Sequence, residues 1–183
     1  MLYFMLFTCI IELVGRALAL HKLDNNWLYN IYIIAEITVM TVMFSNFIDP
    51  YVKSSKWITI NSSLLLPLYL FELGQHGLYQ SHDLTINVMS VLFTYYSLLY
   101  YQLLLKDNAY HDLIKDPAFW WVAGSLFYYF GTTASNIYFL IFGDEKSGLL
   151  TNRNLIYMSL NIILYSFRSY SFLCRYQQRK LTP

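Results

Sequence analysis

Charged residues are scarce in this sequence, and so are cysteine, glycine and proline. Asp, Glu, Lys and Arg make up 13% of the 183 residues, against about 25% in an average soluble domain. The counts of 2 Cys, 7 Gly and 4 Pro exclude a disulfide scaffold and a collagen-like repeat. The net charge of +1 gives no basic field for nucleic acid and no acidic tail. We therefore expect no nucleic-acid partner.

Apolar and aromatic residues dominate instead. They account for 57% and 19% of the chain, and the mean hydropathy is +0.40. A bilayer core needs about 20 mostly apolar residues per helix. Six stretches meet this requirement, at residues 1–20, 27–48, 57–76, 85–105, 119–142 and 155–176. The sequence thus predicts an all-α, polytopic transmembrane helical bundle with six transmembrane helices, forming a single domain over residues 1–183.

The connections between these spans are short and polar. Asp49-Pro50 should end the second span, Asp116-Pro117 should open the fifth, and Pro67 should kink the third. The first span holds charged residues and has no cleavage site, which favours a retained helix over a signal peptide. Lys and Arg number seven in the loops and tail on the side of the termini and three on the other side. This asymmetry places both termini in the cytoplasm of a multi-pass protein of the cell inner membrane.

Ionisable and carboxamide side chains inside the spans gather near one depth. At about 1.5 Å per residue, Glu12 and Glu36 lie about 12–13 Å below the outer ends of their helices. Such groups normally face the bundle interior or a wet cavity. We therefore predict a polar ligand pocket in the outer half of the bundle, formed by ten residues: Glu12, Arg16, Tyr29, Tyr32, Glu36, Glu72, Gln75, Asn87, Asn136 and Asn161.

A purely structural role for these residues is as well supported as a ligand pocket, because polar side chains also bond helices to one another at about 0.6 kcal/mol each. Arg16 can pair with Glu12 along its own helix, or with Glu36 or Glu72. We expect Arg168, near the inner end of the sixth span, to snorkel to the headgroups. The small residues Gly124, Gly131 and Ser135 should allow close helix approach.

No catalytic motif is present, so the sequence predicts no enzyme, no catalytic residues and no cofactor. His76, His82 and Asp83 share one outer loop and would make at most a weak zinc site, so we expect solvated loop residues and no metal. Intramembrane carboxylates can also serve ion or proton transport. The sequence shows neither an inverted repeat nor a broken pair of half-helices, which weakens that alternative.

Three stretches carry a resemblance: NNWLYNIYIIAE (25–36), DPAFWWVAGSLFYYFGTT (116–133) and NLIYMSLNIILYSFRSYSFLCR (154–175). They resemble small multi-helix inner-membrane proteins of Bacteroidota, which are similar to membrane regions associated with sensor histidine kinases. The resemblance implies a possible histidine-kinase or other membrane signalling partner besides membrane lipids, and it assigns no catalytic residues. Members often have one further N-terminal helix, so it also implies a seven-helix family whose first helix is missing here.

The leading hypothesis is therefore an integral membrane sensor or signalling accessory protein that binds a small ligand in the outer pocket and relays to a cytoplasmic partner. The alternative is a small ion- or proton-coupled transporter or channel that uses Glu12, Glu36 and Glu72. A structural assembly partner is the third hypothesis. The sequence leaves the ligand and the oligomeric state open.

Overall fold

Helices make up nearly all of the computed structural model, which describes residues 2–107, 112–143, 146–147 and 150–181. The helices are α1 (Leu2–Leu20), α2 (Asn26–Ile48), α3 (Ser55–Ser63), α4 (Leu65–His76), α5 (Asp83–Lys106), α6 (Pro117–Phe142) and α7 (Asn152–Leu181). A single 3-10 turn, Leu113–Lys115, precedes α6. Two-residue segments β1 (Lys146–Ser147) and β2 (Leu150–Thr151) pair antiparallel between α6 and α7. The predicted helical fold class is confirmed.

Three helices of the described residues are long and apolar enough to cross a membrane. They cover Tyr3–Leu20, Asn26–Ile48 and Asp83–Lys106, which correspond to the first, second and fourth predicted spans. Length and composition thus support a membrane protein. The other three spans stay predictions.

The third predicted span is interrupted. It consists of α3 and α4, which are separated only by Leu64. Pro67 lies three residues beyond the break, and a proline has no N–H for the carbonyl of the residue four before it, here Ser63. The backbone N–H of Leu64 donates to the carbonyl of Asn61 at 3.3 Å. Leu64 keeps helical dihedral angles (φ −67°, ψ −17°), so the interruption is confined to one residue, and the kink at Pro67 stays a prediction.

Proline also fixes two helix ends, as predicted. α2 ends at Ile48, just before Asp49-Pro50. α6 begins at Pro117, and the Asp116 carboxylate accepts a hydrogen bond from the backbone N–H of Ala118 at 3.0 Å. This is a helix N-cap, in which a side-chain oxygen satisfies an orphan backbone donor. The same carboxylate has a second role in the site described below.

The chain divides into two compact units. The first comprises residues 1–46 and 53–89, and the second comprises residues 47–52 and 90–183. The first unit therefore holds α1, α3, α4, most of α2 and the start of α5. The second holds most of α5, with α6 and α7. The single domain over residues 1–183 stays a prediction.

Small residues bring α6 and α7 together in the second unit. A Cβ atom built on Gly124 would lie 2.9 Å from Cβ of Phe167 and 3.3 Å from the carbonyl oxygen of Leu164. At Gly131 the nearest atoms belong to the flexible end of the Leu160 side chain. The predicted close approach at these glycines is confirmed, and Gly124 is the position with less room to adjust.

We expect Gly124→Ala to destabilise the protein by about 1–3 kcal/mol, because the added methyl group meets a backbone carbonyl and a Cβ that cannot rotate away. The measurement is the free energy of unfolding in mixed micelles. Gly74→Ala on α4 is the matched control, since nothing lies within 4 Å of a Cβ built there. The control should be neutral or stabilising by up to about 1 kcal/mol. Equal behaviour of the two variants would contradict the packing described here.

Candidate functional site

The contact between α1 and α2 brings several predicted pocket residues together. The Thr8 and Tyr32 hydroxyls lie 3.0 Å apart. The Tyr32 ring lies between Phe4 and Phe7, with ring centroids 6.3 and 6.0 Å away. Tyr32 is therefore fixed by one face of α1, with its apolar ring packed and its hydroxyl bonded.

Tyr29 approaches α1 at Gly15, where a side chain would leave it no room. A Cβ built on Gly15 would lie 2.9 Å from Cζ of Tyr29 and closer still to its hydroxyl oxygen. Asn25 secures the same point, because its carboxamide donates to the carbonyl of Gly15 at 3.2 Å. Glu12 and Arg16 interact electrostatically with each other and with Tyr29. The structure thus groups Glu12, Arg16 and Tyr29, and we call these three residues the α1–α2 cluster.

The other predicted residues of the first unit differ in their exposure. Glu36 is half-buried on α2, one helical turn beyond Tyr32, and Asn87 is half-buried near the start of α5. Gln75 is exposed on α4. Glu36 therefore keeps partial solvent access on the same helix as the two tyrosines, and Gln75 is exposed to solvent.

Glu72 has a defined structural task. Its buried carboxylate accepts hydrogen bonds from the backbone N–H groups of Leu84 and Thr85, at 3.0 and 2.8 Å, and from the Thr85 hydroxyl at 2.6 Å. Those backbone groups belong to the first turn of α5, whose N–H groups have no partner within the helix. A negative charge is also favourable there because of the helix dipole. Glu72 of α4 therefore caps α5 across the intervening loop.

The loop between α4 and α5 is held from α2 as well. The buried carboxamide of Asn30 donates to the carbonyls of Leu78 and Gln80, both at 2.7 Å. Asn26 donates to the carbonyl of Tyr79 at 3.1 Å. Sequence reasoning missed this clamp. The pair of asparagines at helical spacing, 26 and 30, is the signal that could have indicated it.

His82 corrects the expectation that the histidines of this loop are solvated. It is 0% exposed, and its ring lies 4.9 Å from the ring of Tyr69. Nε2 lies 3.1 Å from the carbonyl of Gly77, so Nε2 is the donor and the proton sits there. The expectation was wrong for His82, whose ring packs against Tyr69, and it is confirmed for His76 and Asp83, which are exposed. No group of three His, Cys, Asp or Glu suited to a metal occurs within residues 2–107, 112–143, 146–147 and 150–181.

The two remaining predicted residues belong to the second unit. The carboxamide oxygen of Asn136 on α6 accepts a hydrogen bond from the Tyr157 hydroxyl of α7. Asn161 is half-buried on α7. Asn136 thus bonds one helix to its neighbour, which is the structural role that the sequence left open for it.

Arg168 corrects the expectation of a snorkelling side chain. It is 1% exposed, and its guanidinium carbon lies 5.0 Å from the centroid of the Trp121 ring. Further along α7, the Ser171 hydroxyl donates to the carbonyl of Pro117 at 2.6 Å. The start of α6 therefore covers the arginine and supplies an aromatic face in place of water. The pair Trp120-Trp121 at the start of α6 is the signal in the sequence that could have indicated this burial.

Tyrosines also lie near the Asp116 carboxylate at the start of α6. The Tyr100 hydroxyl donates to Asp116 at 3.2 Å, and the Tyr101 hydroxyl donates to the carbonyl of Phe119 at 2.9 Å. The rings of Tyr51 and Tyr100 meet edge-on at 6.0 Å. Sequence reasoning missed this group, because each tyrosine lies in or beside an apolar span and cannot be distinguished there from an aromatic residue that only packs.

Tyr51 provides a test of this group by pH. Burial, followed by the negative charges of Asp116 and Asp107, raises the pKa of Tyr51 above its usual 10.0. A raised pKa in the folded state means that the stabilisation is complete below pH 10 and is lost as the pH rises through the raised pKa. We expect Tyr51→Phe to flatten that alkaline loss of unfolding free energy.

The measurement is an absorbance titration of phenolate combined with unfolding at pH 9–11. Tyr79→Phe, which removes an exposed phenol, is the control and should leave the alkaline profile unchanged. Identical profiles for Tyr51→Phe and the unaltered protein would contradict this account of Tyr51.

Comparison with protein-family models, curated proteins and solved structures gave no match for this chain. The resemblance to Bacteroidota membrane proteins stays a prediction.

Proposed function

We propose that this chain is an integral membrane sensor or signalling accessory protein that passes a signal to a cytoplasmic partner through the basic end of α7. The observation that carries the proposal is the length of that helix. α7 runs unbroken over 30 residues, which is about 45 Å, whereas the hydrocarbon core is about 30 Å thick. α7 can thus transmit a movement at a buried position to the surface as a single helix.

Contacts along one stripe of α7 tie it to the segment before α6. Besides the Ser171 bond, the Cys174 thiol lies 3.5 Å from the carbonyl of Ile114. The Gln178 carboxamide donates to the carbonyl of Lys115 at 3.1 Å. Beyond this stripe, Arg175, Arg179 and Lys180 are exposed. A partner that binds these basic turns would therefore respond to movement of α7 against α6.

The ligand site of the proposal lies on α2. Glu36 is a half-buried carboxylate one turn from Tyr32, and an ionisable group inside a membrane helix is a functional candidate by default. Glu72 contributes less to this proposal than the sequence suggested, because its carboxylate already binds three donors. A small polar or cationic ligand is the class that a half-buried carboxylate such as Glu36 would bind.

Copurification from detergent tests the relay. We expect a histidine kinase or another signalling protein to copurify with the chain, and we expect a charge-neutral tail (Arg175→Gln, Arg179→Gln, Lys180→Gln) to lose it. Lys53→Gln, Lys56→Gln, Lys106→Gln is the matched control, since it removes the same charge from exposed residues on the same predicted side. Glu36→Gln alters only the proposed ligand site, so we expect it to change the amount of partner recovered only when the ligand is present. Absence of any signalling protein, or equal loss in the control, would refute the relay.

A transporter or channel is the second candidate, and the carboxylates of Glu12 and Glu36 support it, because both lie within helices long and apolar enough to cross a membrane. Proteoliposomes would show a pH-dependent flux that Glu12→Gln or Glu36→Gln abolishes. Flux without such dependence would exclude this mechanism.

A further inference from the structure

Three buried hydroxyl groups on α5 and α6 have no hydrogen-bond partner among the residues that the structure describes. They belong to Ser90, Thr132 and Ser135, which are 1%, 3% and 5% exposed. We call them the seam hydroxyls. A hydroxyl inside a helix often donates to the carbonyl four residues before it, and other hydroxyls of the same two helices do so: Thr94 and Ser97 of α5, and Ser125 and Thr133 of α6.

Two ring contacts fix how α5 lies against α6 in the second unit. The ring centroids of Tyr101 and Phe119 lie 5.4 Å apart, and those of Phe93 and Tyr129 lie 5.1 Å apart. From the first contact to the second, the residue number falls along α5 and rises along α6. The two helices are therefore antiparallel along this contact, which we call the α5–α6 seam.

The seam hydroxyls lie just beyond the second of these ring contacts. Ser90 precedes Phe93 by three residues on α5, and residues at this spacing share a helix face. Thr132 follows Tyr129 by the same interval on α6. At about 1.5 Å per residue, both hydroxyls lie about 4.5 Å further along the seam in the same direction. Ser135 follows three residues later on α6, so the three hydroxyls belong to one part of the seam.

The lack of charge along both helices decides which class of ligand fits these hydroxyls. α6 contains no Asp, Glu, Lys, Arg or His, and α5 has none between its terminal residues Asp83 and Lys106. An ion bound in the seam would therefore have no opposite charge on these helices to offset its desolvation. A hydroxyl can donate and accept, so a small neutral molecule that does both satisfies it. Water has this chemistry, and a buried water makes about three hydrogen bonds to polar groups that otherwise lack a partner.

We propose that the seam hydroxyls form a binding site for water inside the contact between α5 and α6. Each buried hydroxyl would destabilise the protein if it had no partner, and bound water supplies that partner. The contact between α6 and α7 differs, because Asn136 and Tyr157 bond those helices directly. Water thus gives α5 an exchangeable polar contact with α6, within a helix apolar enough to cross a membrane. The inference goes beyond the proposed function and does not depend on it.

Thr132→Val tests this site by the sign of its effect on stability. Valine keeps the shape of threonine and lacks the hydroxyl. With water bound there, the unfolding equilibrium constant in mixed micelles should rise about fivefold, as for the loss of one hydrogen bond. A hydroxyl without any partner gives the opposite sign, because its removal stabilises the protein. Thr133→Val is the matched control, since that hydroxyl donates to the carbonyl of Tyr129 at 2.9 Å, and we expect a change within about twofold.

Radiolytic labelling in isotope-labelled water detects the water itself. Radicals formed from bound water react with the side chains beside it, so Tyr129 should be labelled although it is only 1% exposed. Phe44 of α2, which is 0% exposed, is the control ring and should be labelled several-fold less. Thr132→Val should reduce the labelling of Tyr129 and leave that of Phe44 unchanged. Equal labelling of the two rings, no response of Tyr129 to Thr132→Val, or an unchanged or lowered unfolding constant in that variant would overturn the proposal.

Discussion

Trp121→Ala is expected to lower the free energy of unfolding by about 3–5 kcal/mol, the cost of truncating a fully buried aromatic residue. Trp121 is buried against Phe47, at 5.5 Å between ring centroids, and it covers the Arg168 guanidinium. Its removal leaves a cavity and also uncovers a buried cation. Unfolding in mixed micelles, followed by far-UV circular dichroism, measures the change.

Trp57→Ala is the control for that experiment. Trp57 is 69% exposed, so its truncation should change stability far less. A double-mutant cycle of Trp121→Ala with Arg168→Met then isolates the cation–π contact, which we expect to contribute about 2 kcal/mol in this desolvated setting. A zero coupling energy, or equal losses for the two tryptophans, would contradict the burial of Arg168 under Trp121.

Glu72→Ala should have the second large effect, a loss of about 3 kcal/mol, because each hydrogen bond to a charged group contributes about 1.5–3 kcal/mol and buried donors would be left unsatisfied. Besides lowering the free energy of unfolding, the variant should destabilise the first turn of α5 locally. Hydrogen exchange of the Leu84 and Thr85 amides should accelerate, since both donate to this carboxylate.

Two conservative changes separate the parts of this cap. Glu72→Gln keeps one acceptor oxygen and should cost less than the alanine variant. Thr85→Val removes only the hydroxyl bond to the carboxylate and should cost about 1.5 kcal/mol, the lower end of that range. Unchanged amide exchange at Leu84 and Thr85 in Glu72→Ala would refute the capping role, and Glu36→Gln serves as a control for loss of a carboxylate elsewhere.

Local chemistry was predictable from the sequence. The end of α2 and the start of α6 depend on Asp-Pro pairs, so neighbouring residues determine them. The spans that match α1, α2 and α5 follow from continuous apolar composition. The close approach at Gly124 and Gly131 was likewise predictable, because a missing side chain can serve few purposes in a packed helix.

Pairings between distant residues could not be predicted in the same way. A glutamate in an apolar helix has the same sequence signature whether it faces a ligand, as proposed for Glu36, or caps a neighbouring helix, as Glu72 does. Arg168 is similar, because its position near a span end suggests snorkelling, whereas Trp121 decides its burial. The grouping of Glu12, Arg16 and Tyr29 depends on the room left by Gly15, which no charge pattern reveals.

The clamp on the α4–α5 loop has a practical consequence for topology mapping. Short polar loops are the usual insertion points for reporter enzymes and epitope tags. Here Asn26 and Asn30 bind three consecutive carbonyls of that loop, at Leu78, Tyr79 and Gln80. An insertion between these residues would separate α5 from Glu72, which caps it. A reporter placed there would therefore describe a disrupted fold. The turn at residues 21–24, exposed throughout, is the better insertion point for testing the predicted topology.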